Sequence, residues 1–192
     1  MTREQLEAVF SAHQIDFSNP GFYDLPQFVA VERTDNNFLD RYAEYVDRRV
    51  YSPEYLDRVR NLVPRLGRFV YDNLRLEGRL GACIDVSGMF CRILDKEGIW
   101  SYGVGGGVSV EFPSNSGILP TYFGVIGGES NIAAHMWSRI PPFAAVDLTL
   151  SAQPWGARRQ PFLEGFLMSE DSEPADATVE QLGRVHTTVN LC

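Results

Sequence analysis

The spacing of the apolar residues changes once along this chain, close to Gly98, and this change limits the folds that the chain can adopt. Before Gly98 the apolar residues recur every three or four positions, which is the pattern of an amphipathic helix. After Gly98 they alternate with polar residues, and Gly, Pro, Asn and Ser separate the alternating stretches, which is typical of strands. Helices followed by strands predict an α+β fold, in which helices of the N-terminal half pack on an antiparallel sheet.

The N-terminal half contains three predicted helices before residue 80, over 6–12, 38–50 and 53–74. Turn residues predict a loop at 18–26. The third helix is expected to begin after Ser52, because Pro53 at the first helical position loses no backbone hydrogen bond. Pro64 lies inside that helix and is expected to kink or divide it.

Strands dominate the second half, where they are predicted at 101–112, 121–128, 134–140, 143–150 and, near the C-terminus, 184–192. The segment 169–181 is acidic and rich in small residues, so we expect an exposed loop or mobile segment there. The length of 192 residues fits one domain, 1–192. Within it we distinguish a helical N-terminal region over 1–80, a core over 81–150 that contains the candidate catalytic residues described below, and a C-terminal extension over 151–192.

The net charge of −8 and the pI of about 4.9 argue against a nucleic-acid partner. No stretch approaches the roughly 20 apolar residues that a membrane span needs, and the first residues do not have the pattern of a secretory signal. The three cysteines, Cys83, Cys91 and Cys192, have no disulfide-framework spacing, which favours a reducing compartment. We therefore expect a cytoplasmic protein with no membrane partner.

Cys83 stands where a helix is predicted to begin, and that helix is expected to end at Gly98. The first turn of a helix has unpaired backbone N–H groups and the positive end of the helix dipole. Both stabilise a thiolate, so a cysteine at this position is a candidate nucleophile.

His135 and Asp147 lie in two adjacent predicted strands, and a turn through residues 141–143 could bring Asp147 opposite His135. If Cys83 points at the imidazole, the three residues supply a thiol, a base that takes its proton and a carboxylate that fixes the tautomer of the base. The backbone N–H of Cys83 is a candidate oxyanion donor. Trp137 shares a strand face with His135, so we expect it to pack beside the site.

These residues occur in three short motifs with a fixed order, namely Cys83, Asp85 and Ser87 with a Gly98-Ile99 end, then His135-Met136-Trp137, then Asp147-Leu148-Thr149. At these positions the chain resembles the transglutaminase-like superfamily, whose members share a papain-type Cys–His–Asp arrangement. The resemblance covers roughly residues 80–150 and implies a transglutaminase-like or papain-like core. Ile84 stands where the animal cross-linking enzymes have a tryptophan, and no acidic cluster suggests their calcium sites. The chain therefore resembles a compact bacterial-type member.

Other residues near these motifs have either a functional or a structural interpretation. The small residues Gly106 and Gly107 are predicted to let a substrate backbone approach, together with Trp137. Cys91 is expected in the core, since it lies about 12 Å along the helix from Cys83, too far to share a metal ion with it. Asp85 is interpreted as a helix-dipole carboxylate. Arg158 and Arg159 could grip a carboxylate, although such pairs are more often solvated.

Cys83, His135 and Asp147, which we call the triad, each have a structural interpretation as well. A free cysteine is most often a small core residue, a strand histidine is most often hydrogen-bonded in its sheet, and Asp147 could be a turn or strand-end residue. The combination favours a thiol-dependent enzyme that acts on an amide or related acyl bond of a peptide, a protein or a small molecule. The reaction would proceed through a Cys83 thioester and need no cofactor or metal ion. Hydrolysis is favoured over transfer to an amine; acyl transfer and a non-catalytic binding module on the same fold are the alternatives.

Overall fold

The structure is a computed structural model that describes residues 1–79, 81–123, 135–163, 165–170 and 185–190. Its helices are α1 (Arg3–Ala12), α2 (Pro26–Glu32), α3 (Phe38–Arg48), α4 (Pro53–Leu76) and α5 (Cys83–Lys96). Its strands are β1 (Tyr102–Glu111), β2 (Thr121–Phe123), β3 (His135–Ile140), β4 (Phe143–Asp147), β5 (Leu167–Ser169) and β6 (Val185–Asn190). This succession of helices and then strands confirms the predicted α+β class.

The predicted start of α4 is confirmed, since Ser52 Oγ accepts a hydrogen bond from the Tyr55 N–H at 3.2 Å and Pro53 is the first helical residue. Pro64 does not divide this helix, which continues to Leu76. An interior proline costs a helix roughly 3 kcal/mol. Burial of one face of α4 on both sides of Pro64, by residues such as Val63 and Val70, offsets that cost.

The region after α1 has more helix than the sequence predicted. The segment expected to be a loop, 18–26, contains a short 3₁₀ turn at Phe22–Asp24, and α2 begins at Pro26 without having been predicted. Only seven residues long, α2 is too short to show a clear helical period. Its Phe28 is fully buried, so packing rather than pattern accounts for the helix.

The sheet is built around β1, whose first half pairs antiparallel with β3 and whose second half pairs antiparallel with β2. A two-residue turn at Pro141-Pro142 joins β3 to β4, and β4 pairs antiparallel with β5. The antiparallel pairing that was predicted for the strands between 101 and 150 is confirmed, whereas β6, for which no direction was predicted, runs parallel to β1. A long connection along the chain permits parallel pairing, whereas the short connections elsewhere do not.

The strand predictions at 101–112, 134–140 and 143–150 correspond to β1, β3 and β4, and the one at 184–192 corresponds to β6. The prediction at 121–128 corresponds to β2 for its first three residues, and the remainder lies outside the described residues. Strand β5 was not predicted. Most of the acidic segment 169–181 also lies outside the described residues, so its predicted exposure is not addressed.

Three groups of buried residues form the core. The helix–sheet core joins α4 and α5 to the sheet and comprises Val59, Val63, Val70, Val86, Phe90, Leu94, Ile99, Ile140, Phe143, Val146 and Leu148. The aromatic core lies among α1, α2 and α3 and comprises Leu6, Phe10, Ile15, Phe22, Phe28, Phe38, Tyr42, Tyr45, Val46 and Trp100. The far-face core comprises Val104, Val108, Val110, Phe112, Trp137, Ala145, Leu150, Trp155 and Leu163.

Both faces of the sheet are covered, because consecutive residues of β4, Ala145 and Val146, belong to the far-face core and the helix–sheet core respectively. Among the helices that the structure describes, none combines the length and the apolar character needed to cross a bilayer.

Candidate active site

Cys83 is the first residue of α5, and its side chain is half-buried. Its interaction with the His135 ring lowers the pKa of the Cys83 thiol, and partial burial opposes that effect. The backbone N–H groups of Met136 and Ile84 lower the pKa further. The thiol therefore lies where both an imidazole and backbone donors stabilise its ionised form.

His135 is the first residue of β3, and its side chain is fully buried. Its Nε2 is hydrogen-bonded to Asp147 Oδ2. Burial lowers the pKa of the imidazole, but the bonds with Asp147 and Cys83 raise it more, to about 9. Because Asp147 engages Nε2, Nδ1 is the ring nitrogen that can exchange a proton with the thiol.

Asp147 ends β4, and the residues that follow it hold its second carboxylate oxygen in place. Asp147 Oδ1 accepts hydrogen bonds from the Thr149 N–H at 2.9 Å, from Thr149 Oγ1 at 3.0 Å and from the Leu150 N–H at 3.0 Å. Both oxygens are thus engaged in a site where Asp147 is 2% exposed and Thr149 is fully buried. The carboxylate is fixed in one orientation, with Oδ2 directed at the histidine.

Helix α5 carries Cys83 to the sheet by lying directly against β3. Ser87 Oγ donates to the Met136 carbonyl at 3.1 Å, and Cys91 Sγ donates to Ser138 Oγ at 3.5 Å. Cys83, Ser87 and Cys91 are four residues apart, so they share one helix face. Small side chains along this face let the helix approach the strand closely.

Trp137 packs beside the site, as the strand alternation predicted. Its ring is 2% exposed and stacks on the His135 ring, with a centroid distance of 6.2 Å and an interplanar angle of 30°. The indole thus lies beside the fully buried imidazole, within the range of aromatic pair contacts.

Gly106 and Gly107 do not provide the open backbone that was expected from the sequence. Gly106 pairs with His135 of β3 and with Val185 of β6, and Gly107 pairs with His186. Both glycines are buried. Neighbouring strands therefore lie along the backbone of both glycines, where a substrate backbone was expected to approach.

The remaining sequence candidates have structural surroundings. Cys91 is 4% exposed, and burial raises the pKa of its thiol, which suits a core residue. Asp85 is exposed in the first turn of α5. Arg158 donates to the Gly117 carbonyl at 3.0 Å and Arg159 Nε donates to Thr121 Oγ1 at 3.0 Å, so each bonds to the segment around β2.

Two residues matter more than the sequence alone indicated. Ser87 and Thr149 both fall inside the motifs, but their hydrogen bonds to Met136 and Asp147 depend on packing that one sequence does not reveal. A Thr two residues after an Asp at a strand end is compatible with a side-chain-to-backbone turn, which is the one local signal available for Thr149.

The structure thus brings Cys83, His135 and Asp147 together, with Trp137 against the imidazole. In the described part of the chain, no three His, Cys, Asp or Glu side chains are grouped so that they could hold a metal ion. Comparison of the chain with protein-family models, with curated proteins and with solved structures found no match.

Proposed function

We propose that this protein is a thiol-dependent enzyme that cleaves an amide or related acyl bond through a thioester on Cys83. The observation that carries the proposal is the hydrogen-bonded series Cys83–His135–Asp147 at the beginning of α5. The pKa of the thiol is lowered and that of the imidazole is raised to about 9, and both shifts favour a thiolate–imidazolium pair.

The residues have distinct roles in the proposed reaction. The Cys83 thiolate attacks the substrate carbonyl carbon, and the N–H groups at the start of α5 stabilise the resulting oxyanion. His135 Nδ1 then donates its proton to the leaving amine as the carbon–nitrogen bond breaks, which leaves the acyl group on sulfur. In the second half, neutral His135 takes a proton from water, hydroxide attacks the thioester, and the acid is released as the thiolate re-forms.

The surroundings of Cys83 favour water over an amine as the second nucleophile. Cys83 is half-buried, and the next residue, Ile84, is 62% exposed. A transferase has to exclude water or bind its amine well, which usually takes an aromatic-walled channel beside the nucleophile. An exposed isoleucine supplies no such wall, so we propose hydrolysis of a peptide, protein or small amide.

The sequence resemblance to the transglutaminase-like superfamily agrees with this proposal, since the three motif residues are those in contact. A transglutaminase-like core is part of the proposal. So is a cytoplasmic location, where a thiolate nucleophile stays reduced.

The proposal is tested first by the reactivity of the thiol. Intact-mass measurement after brief treatment with iodoacetamide at pH 7 is expected to show one fast addition, absent in Cys83→Ala and slowed in His135→Ala. Cys91→Ala is the matched control and should keep the fast addition. If Cys83 reacts no faster than a free cysteine, the catalytic proposal fails and a binding module on the same fold is favoured.

A second experiment distinguishes hydrolysis from transfer. The protein is incubated with a glutamine-rich protein and a labelled primary amine, with and without calcium, and in parallel with a mixed peptide library analysed by mass spectrometry. We expect Cys83-dependent cleavage of amide bonds in the library and no incorporation of the amine. Robust Cys83-dependent incorporation would instead assign the protein as an acyltransferase.

A further inference from the structure

A cavity of about 710 Å³ opens between the C-terminal half of α4 and the chain that follows β4. Its volume lies within the range of small-molecule binding sites. The lining residues used below are Arg68, Tyr71, Arg75, Ser151, Gln160 and Leu163. None of them belongs to the Cys83–His135–Asp147 triad.

The charge of the cavity is opposite to that of the whole chain. Arg68 and Arg75 both line it, whereas none of the described lining residues carries a carboxylate. The chain as a whole has a net charge of −8. Two arginines among the described lining residues, on an acidic protein, favour a local positive potential that attracts an anion.

The Arg68 guanidinium is held in place by aromatic rings. It lies 5.1 Å from the centroid of the Phe166 ring and 5.9 Å from that of Tyr71, and it forms an ion pair with Asp72 at 3.9 Å. An arginine supported on aromatic rings loses less side-chain freedom when it binds an oxyanion. Gly67 lets the Phe166 ring lie close to α4, because a Cβ at position 67 would lie 3.1 Å from that ring.

The other lining residues of the cavity combine polar and apolar groups. The Tyr71 hydroxyl lies 3.5 Å from Ser151 Oγ, and Gln160 Nε2 donates to the Ser151 carbonyl at 2.6 Å. Tyr71, Ser151 and Leu163 are all buried, so they form the inner part of the cavity lining. It can contact an apolar body while its hydroxyl groups orient a polar one.

We propose that this cavity is a binding site for a small organic anion, with its carboxylate or phosphate held by Arg68 and Arg75 and its apolar part against Tyr71 and Leu163. Planar guanidinium groups match both oxyanions, and two of them together select a charged ligand over its neutral counterpart. The inference goes beyond the proposed function, because it does not require Cys83 to be reactive.

Binding is measured on the full-length Cys83→Ala protein, which cannot consume a probe through the proposed chemistry. Isothermal titration calorimetry at low ionic strength compares phenyl phosphate and 4-phenylbutyrate with the uncharged 4-phenylbutanamide. We expect an anion to bind at one site, with the amide about tenfold weaker or more. Which anion binds better identifies the oxyanion that the site prefers.

Arginine variants in the same background assign that binding to the cavity. Arg75→Gln and Arg68→Gln should each weaken anion binding about fivefold or more. Arg65→Gln removes the same charge from an exposed position of α4 that does not line the cavity, and it should leave binding unchanged. The inference is overturned if neither anion binds at about 10 mM, if the amide binds equally well, or if Arg65→Gln weakens binding as much as Arg75→Gln does.

Discussion

The two carboxylate oxygens of Asp147 have different partners, one in the candidate site and one in the turn after β4. One carboxylate oxygen is bonded to His135 Nε2, and the other accepts three hydrogen bonds from Thr149 and Leu150. A carboxylate held in this way cannot rotate, so it keeps the Nε2 proton in place and leaves Nδ1 facing the thiol. The tautomer of the histidine is therefore set by the turn after β4.

Asp147→Asn should reduce the rate of Cys83-dependent chemistry by about 10²- to 10⁴-fold with little loss of stability. The amide can accept the same bonds from Thr149 and Leu150, but its N–H donates to Nε2 and moves the ring proton to Nδ1. A histidine with that tautomer cannot accept the thiol proton. The rate of single-turnover acylation measures the effect, and an unchanged rate would remove Asp147 from the mechanism.

The raised pKa of His135, about 9 against an ordinary 6.5, has a defined consequence for stability. Because the pKa of His135 is higher in the folded than in the unfolded protein, protonation of His135 stabilises the fold. This contribution to stability is complete below about pH 6.5 and is lost as the pH rises through about 9. NMR titration of the imidazole should therefore give a value near 9, assigned by comparison with His135→Gln. In Asp147→Asn the value should fall, because burial remains while the carboxylate is gone. A titration of His135 at or below 6.5 in the unmodified protein would contradict the arrangement.

At this scale, the sequence could predict which residues meet but not how they are held. Cys83, His135 and Asp147 were found from residue type, order and strand alternation, and Trp137 from its spacing to His135. The partners of Asp147 Oδ1 and of the Met136 carbonyl could not be predicted, since they depend on backbone angles and on helix–strand distance. The pairing of Gly106 with β6 could not be predicted either, because β6 comes from a part of the chain far away in sequence.

At the scale of secondary-structure elements, the contact between α5 and β3 determines where the thiol lies. Cys83, Ser87 and Cys91 face the strand, and both backbone polar groups of Met136 are engaged. Its N–H lowers the pKa of Cys83 and its carbonyl accepts from Ser87 Oγ. Movement of α5 along β3 would therefore separate the sulfur from both His135 and the Met136 N–H.

Ser87→Ala should cost about 1 kcal/mol of stability, because the partly buried Met136 carbonyl loses a hydrogen-bond donor. It should also slow alkylation of Cys83 and raise the pH at which that reaction reaches half its maximum, because the first turn of α5 is less firmly held. Ser11→Ala, at an exposed position of α1, is the matched control. Lost stability with an unchanged pH profile would make Ser87 a purely structural residue.

Helices and strands were predicted correctly where the local sequence has a clear cap or a clear apolar pattern. Helix α4 has an N-terminal Ser-Pro and a long apolar repeat, and β3 and β4 have clear alternation, so their existence could be read directly. Three features could not be predicted from the local sequence: helix α2, the continuity of α4 through Pro64 and the parallel pairing of β6. In each of these cases tertiary burial or a long-range pairing outweighs the local preference.

At the scale of the whole molecule, two tyrosines connect the three cores. Tyr55 packs against both the helix–sheet core and the aromatic core, and its hydroxyl accepts from the Trp100 N–H at 2.8 Å. Tyr102 packs against both the aromatic core and the far-face core, and its hydroxyl donates to Asp47 at 2.7 Å. Arg139 of β3 donates to the same carboxylate at 2.6 Å. Helices α1–α3 are thus joined to the sheet that carries the site.

These connections predict that residues 1–192 unfold as one cooperative unit. Phe10 is the most informative residue to change, because it is fully buried and its ring lies beside those of Phe17, Phe22, Phe28, Phe38 and Tyr45. Phe10→Ala should lower the free energy of unfolding by about 3–5 kcal/mol. Far-UV circular dichroism reports on the helices, and tryptophan fluorescence of a Trp100→Phe background reports on Trp137 and Trp155 beside the sheet. If the chain is one domain, Phe10→Ala shifts both urea midpoints equally. The rate of Cys83 alkylation then falls to that of a free cysteine at the same urea concentration as the two spectroscopic signals change, because unfolding removes the contacts that lower the pKa of the thiol. A shift confined to circular dichroism would mean that the helices before residue 50 unfold separately from the part that carries the site.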